Sequence, residues 1–162
     1  MTRRLTLAII VLVLASPLLA QSSECQMRTW TWTEWLTLGP AELLALDETP
    51  VTIIPNPPAG HGTMPYMLIV YKPAGVAYAA IAADDDLVVE LPSPTPAAAF
   101  RVESAGFLDQ TTAQYRVVRP AAGILNNTYI ELGLRARLLG PITTGDTGIS
   151  IRVLYIDVNA AP

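Results

Sequence analysis

The sequence predicts an all-β fold, an antiparallel β-sandwich of jelly-roll type with about eight strands. Three observations lead there. Apolar residues alternate with period two in several short runs, 14 prolines and 10 glycines separate those runs, and helical periodicity is almost absent. A length of 162 residues suits one domain rather than two. With 51% hydrophobic and only 15% charged residues, the chain has enough apolar material for a packed core, which excludes a disordered polypeptide.

Three regions follow along the chain. Residues 1–20 combine Arg3 and Arg4, an apolar run from Leu7 to Ala15 and a small residue at Ala20, the pattern of a secretory signal. The run falls short of the roughly 20 apolar residues of a membrane span. An uncleaved arm that docks on a partner is the alternative, as is a start codon placed too far upstream. Residues 21–48 form a polar and aromatic arm in which Trp30, Trp32 and Trp35 cluster. Trp30 and Trp32 share a face if the arm is extended, because side chains alternate along a strand. Such a cluster either anchors the arm on its own domain or a neighbour, the favoured reading, or offers a stacking platform for sugars. Pro40 to Leu46 can make a helical turn with proline near its start.

Residues 49–162 hold the sandwich. Pro50 enforces an extended approach to the first strand. The expected strands are 51–55, 64–71, 76–82, 87–91, 99–103, 114–119, 128–138 and 149–158. The clearest alternation places Ile130, Leu132, Leu134, Ala136 and Leu138 on one face, with Glu131, Arg135 and Arg137 on the other. Ile149, Ile151, Val153 and Tyr155 repeat the pattern. Gly140-Pro141 and Thr143 to Gly148 supply turn chemistry between these runs, so the pair reads as a hairpin. The stretches at 56–62 and 92–96 read as loops within the domain.

Catalytic chemistry finds little support. His61 is the only histidine, set between glycines, and no nucleophile elbow, phosphate loop or dinucleotide fingerprint accompanies it. Asp84-Asp85-Asp86 offers oxygen donors for a cation, but an acidic triplet between apolar strands reads more simply as a solvated hairpin tip. One cysteine, Cys25, excludes an intrachain disulfide and a thiolate zinc site. Asn126-Asn127-Thr128 formally matches a glycosylation acceptor, although these are ordinary turn formers. Neither a catalytic, a cofactor nor a metal residue is assigned. Net charge is −4 with scattered basic residues, which argues against nucleic acid as a partner. Arg101, Arg116, Arg119, Arg135, Arg137 and Arg152 lie along the strands and are expected on solvent-facing or inter-subunit faces.

Several segments, in order, resemble a family of small β-rich virion proteins of tailed bacteriophages. Thr49 to His61, TPVTIIPNPPAGH, is similar to that family's "TPVTLIPAPGAGK" opening, with His61 in place of the usual lysine. Tyr71, Gly75 and Tyr78 match its second hairpin. Gly106 to Gln110 and Arg116 to Pro120 resemble its middle, and Asn127 to Ile130, Thr143 to Asp146 and Val153 to Tyr155 its closing hairpin. The resemblance covers residues 42–158. It implies a jelly-roll-like capsid decoration or tail-associated protein, often trimeric, with no catalytic residues. The expected partners are further copies of the chain, as a homotrimer, and the major capsid protein or other virion proteins; a membrane enters only transiently, if Met1 to Ala20 is a signal. The expected interface residues are Trp30, Trp32, Trp35, Arg116, Arg119, Arg135 and Arg137. The expected location is the virion, or the periplasm or exterior if the signal is cleaved.

Overall fold

A computed structural model describes residues 29–121 and 131–159. The signal-like segment 1–20, the start of the arm with Cys25, the Asn126-Asn127-Thr128 acceptor and the beginning of the expected strand 128–138 lie outside them. Among the described residues, no helix is long and apolar enough to cross a membrane.

Nine strands and one short helix follow in order: β1 (Trp30–Trp32), β2 (Leu36–Leu38), α1 (Pro40–Leu44), β3 (Val51–Ile54), β4 (His61–Lys72), β5 (Leu87–Leu91), β6 (Ala97–Val102), β7 (Gln114–Val118), β8 (Leu134–Leu138) and β9 (Ile149–Asn159). They build two antiparallel sheets. One has the order β1-β9-β4-β7, with β2 also paired to β9; the other has the order β3-β8-β5-β6. From β2 onward, every pair of successive strands lies in opposite sheets except β5 and β6.

Alternation explains the core. Leu68 and Val70 of β4 and Ile149, Ile151 and Val153 of β9 point inward from one sheet. Leu87 and Val89 of β5 and Leu134, Ala136 and Leu138 of β8 meet them from the other, all essentially without solvent contact. Helix α1 starts at Pro40, and the Glu42 carboxylate accepts the Gly39 N–H at 2.7 Å. It presents Leu43 to the same core, joined by Leu38 and Leu46. Residues 30–48 thus pack on the sandwich, with β1 and β2 paired to β9.

Several expectations are corrected. Residues 76–82 form no strand; only Ala79 bridges, to Thr143. Its neighbour Tyr78 is buried, and the segment is held by loops instead, with Tyr78 N–H donating to Leu108 O and Val76 N–H to the Asp146 carboxylate. The runs 128–138 and 149–158 are no hairpin, because β8 and β9 belong to opposite sheets. Their matching alternations are two facing halves of the core. β8 starts only at Leu134: Glu131 has a left-handed backbone (φ 66°), and Gly133 packs its Cα against the Ile54 and Pro55 carbonyls. The aspartate triplet is not a solvated tip throughout. Asp84 is exposed, whereas Asp86 is buried and ion-paired with Arg101.

Lys72 ends β4 fully buried, a feature the sequence patterns did not reveal. Its ammonium donates to Gln110 O at 2.7 Å, and Gly75 N–H reaches Thr111 O nearby. Burial lowers the Lys72 pKa, partly offset by Asp146 and Asp109. This lysine ties the loop after β4 to the loop before β7.

Candidate functional site

The two outward faces of the sandwich differ in chemistry. On the four-stranded sheet, Val88 lies between Arg137 of β8 and Arg101 of β6, and Glu90 opposes Arg135. Arg135 Nη2 is 2.7 Å from Glu90 Oε1, a pair whose glutamate is almost wholly buried. Arg101 and Arg135 thus find carboxylate partners, Asp86 and Glu90, whereas Arg137 donates to the Leu138 carbonyl.

The outward face of the five-stranded sheet is apolar and aromatic. Residues directly opposite in an antiparallel pair point to the same side. The register therefore lays down cross-strand rows. Thr37, Ser150, Tyr71 and Tyr115 form one; Arg152, Ile69 and Val117 the next; Trp32, Leu154 and Met67 a third. Trp30 opposes Ile156 beyond them. Arg152 is the only charged residue in these rows. Exposure is high for such side chains: 63% for Val117, 59% for Tyr115 and 50% for Trp30. Antiparallel sheets usually carry polar residues on a solvent face, and these rows are mainly apolar instead.

The rings on it are ordered by one another. Tyr71 and Tyr115 have centroids 4.8 Å apart, and Trp30 meets Tyr66 edge-on at 4.4 Å. The Arg152 guanidinium carbon lies 4.3 Å from the Trp32 centroid and 5.3 Å from that of Trp35. Trp32 and Trp35 thereby clamp β1 and the link to β2 onto β9, while about two-fifths of each indole remains in solvent.

The arginines expected at an interface are not brought together. Arg116 turns inward from β7, where it donates to Gly106 O and lies 5.3 Å from the Phe107 centroid. Arg119 is exposed just past β7. Arg135 and Arg137 lie on the opposite sheet, two strands in from its β6 edge. The sequence reading missed Tyr115 and Val117 because it followed charge along β7; the alternation of Gln114, Tyr115, Arg116, Val117 and Val118 carried the signal. Tyr66, Ile69, Tyr71 and Arg152 belong to the same face. Their strands were expected, but which strands adjoin was not readable.

Other polar groups make local ties. His61 opens β4, with its Nδ1 3.4 Å from an Asp157 carboxylate oxygen in an exposed contact. Asp85 accepts the Ala82 N–H at 2.7 Å. Asp84, Asp86, Arg101 and Glu103 line an open depression of about 550 Å³. Among the described residues, no three of the His, Cys, Asp or Glu side chains are grouped to hold a metal ion. Comparisons with protein-family models, with curated proteins and with solved structures return no match.

Proposed function

We propose that the protein is a non-enzymatic structural component of a tailed-phage virion, a capsid decoration subunit that seats on the major capsid protein through the outward face of its five-stranded sheet. The observation that carries this reading is the face itself, with Trp32, Met67, Ile69, Tyr71, Leu154, Tyr115 and Val117 in register and one arginine among them. Burying it against a shell removes apolar area from water at about 25 cal/mol per Å². Aromatic residues and arginine are also the types enriched where proteins meet.

The strand order supports the fold that the phage resemblance implies. If β1 and β2 count as one interrupted strand, the order β2-β9-β4-β7 over β3-β8-β5-β6 matches that of an eight-stranded jelly roll. A tail or fibre position would use the same face. The test is quantitative mass spectrometry of purified particles assembled with the wild type or with Met67→Lys. Stoichiometric wild type and depleted variant are expected. Absence of the wild-type chain from particles overturns the reading.

One observation favours a second reading, an exported carbohydrate-binding module. Trp30 and Trp32 lie two residues apart on one strand face, about 6.6 Å, beside the Trp32–Arg152–Trp35 stack. Indoles exposed on one strand face are side chains of the kind that stack on the apolar faces of sugar rings. Titration of tryptophan fluorescence with a panel of soluble polysaccharides checks it, and an unresponsive panel removes it. Intact mass of the native protein reports whether residues 1–20 are cleaved, and so whether export applies.

A further inference from the structure

We infer that Arg152 is the docking point for a carboxylate of the partner protein: an aspartate or glutamate on the shell, set among apolar side chains, pairs with this guanidinium when the outward face of the five-stranded sheet is covered. The inference rests on the reading that a capsid protein covers that face, and it names the chemistry the covering surface must bring. Arg152 lies level with Ile69 and Val117, and its neighbours on the same side of β9, Ser150 and Leu154, are uncharged as well. The face thus holds a single positive charge amid apolar rows.

That charge has no counterpart within the described residues. Its guanidinium carbon lies 4.3 Å from the Trp32 centroid and 5.3 Å from that of Trp35, so the group is held in place by rings. An arginine stacked on aromatic rings keeps its N–H fork for a bidentate carboxylate. Nothing described takes that fork. No ion pair among the described residues includes Arg152, and its Nε is already buried without a hydrogen-bond partner, which confines its hydration to the terminal nitrogens. Glu34 is the internal competitor. The β1 register, continued two residues past Trp32, sets it level with Arg152, yet Glu34 is exposed and forms no ion pair among the described residues.

Desolvation selects the occupant. Covering the face strips the remaining water from Arg152, and a charge buried without a partner is strongly unfavourable at an interface. A wholly apolar cover, or one that brings a lysine or arginine, is therefore rejected. A carboxylate supplies both the opposite charge and two acceptor oxygens. An acidic sugar would supply them too, but it also brings hydroxyl groups, and the rows around Arg152 offer these few partners: Thr37 Oγ1 and Ser150 Oγ bond each other at 3.1 Å, while Met67, Ile69, Val117 and Leu154 are apolar. A protein surface can present one acid ringed by apolar side chains.

The experiment is quantitative mass spectrometry of purified particles assembled at limiting concentration with wild type, Arg152→Gln, Arg152→Lys or Glu34→Gln. Arg152→Gln keeps a polar side chain but removes the charge; its occupancy is expected to fall at least about tenfold, with unchanged far-ultraviolet dichroism of the free chain. Glu34→Gln is expected to seat at least as well as wild type. Treating Arg152→Lys particles with a water-soluble carbodiimide is expected to link the introduced amine to an aspartate or glutamate of the major capsid protein. Should Arg152→Gln misfold, the crosslink alone decides. Equal occupancy of Arg152→Gln and wild type, a loss in Glu34→Gln as large as in Arg152→Gln, or a link to Glu34, to a second copy or to nothing overturns the inference. So does a tryptophan fluorescence response of the free chain to polygalacturonate that Arg152→Gln abolishes, because it gives the arginine to an acidic polysaccharide. Depleted Met67→Lys beside fully seated Arg152→Gln removes only this inference and leaves the capsid reading standing. Wild type missing from particles removes that reading, and the inference with it.

Discussion

Arg135 of β8 reaches across to Glu90 of β5, 2.7 Å from its carboxylate, and this pair closes the centre of the four-stranded sheet's outer face. Removing one partner of a buried pair strands the other, whereas replacing both is far milder. Arg135→Ala is expected to cost about 2–4 kcal/mol, read from the urea unfolding midpoint, the lower end reflecting the partial exposure of Arg135. Glu90→Leu with Arg135→Leu should recover most of it. Equal losses in the single and double variants would show that the pair does not act as a unit. An Arg135→Glu variant that fails to assemble would therefore report stability, not contact.

Tyr78 sets the alkaline limit. Its hydroxyl donates to Thr147 O, and burial first, then Asp146, push its pKa up from 10.0 to about 12. Between those values the folded chain keeps a proton that the unfolded chain has lost. Stability from this group is thus complete below about pH 10 and declines as pH rises toward 12, by about 2–3 kcal/mol in all. Lys72 acts in the opposite sense: its pKa is lowered by burial, so below 10.5 the unfolded chain holds the proton more firmly and stability rises with pH there. Denaturant titrations from pH 9 to 12 check this. Tyr78→Phe should flatten the upper slope and Lys72→Met the lower one; unchanged slopes reject both assignments.

Gly133 stands immediately before β8 because nothing larger fits there. A Cβ there would strike the Ile54 and Pro55 carbonyls, while Gly133 N–H donates to Asn56 Oδ1 at 2.9 Å. Gly133→Ala is expected to lose about 1–3 kcal/mol through overpacking. A thermal midpoint equal to wild type would mean that the β3 margin yields without cost.

The Trp32–Arg152 contact is tested by a double-mutant cycle. The Arg152 Nε is buried without a hydrogen-bond partner, so its attraction to the ring is little screened by water. Coupling of about 0.5–1 kcal/mol between Trp32→Ala and Arg152→Ala is expected from unfolding midpoints. Additivity within about 0.3 kcal/mol would reduce the contact to coincidence.

Much of the architecture was legible locally. Period-two runs located β5 and β9 closely, and the proline-led turn at α1 was readable from Pro40 onward. Alternation tells which residues share a face, because that follows from strand geometry alone. Partnership does not follow from it. Leu134, Ala136 and Leu138 alternate in the same way whether Ile149, Ile151 and Val153 lie beside them in one sheet or opposite them across the core. The candidate face was illegible for the same reason: Trp32, Leu154 and Met67 form one row only because β9 lies between β1 and β4.

By itself, then, the amino-acid order determined an all-β chain, the inward sets of β8 and β9, and a scarcity of charge that leaves apolar side chains on the surface. Tertiary structure alone decided that β8 and β9 oppose each other, that Arg116 turns in while Tyr115 and Val117 turn out, and that Lys72 is sealed within the loops. The physical reason is range. Side-chain alternation is a property of neighbours along the chain, whereas pairing, burial and charge matching depend on contacts between residues tens of positions apart, which only closure of the whole core selects.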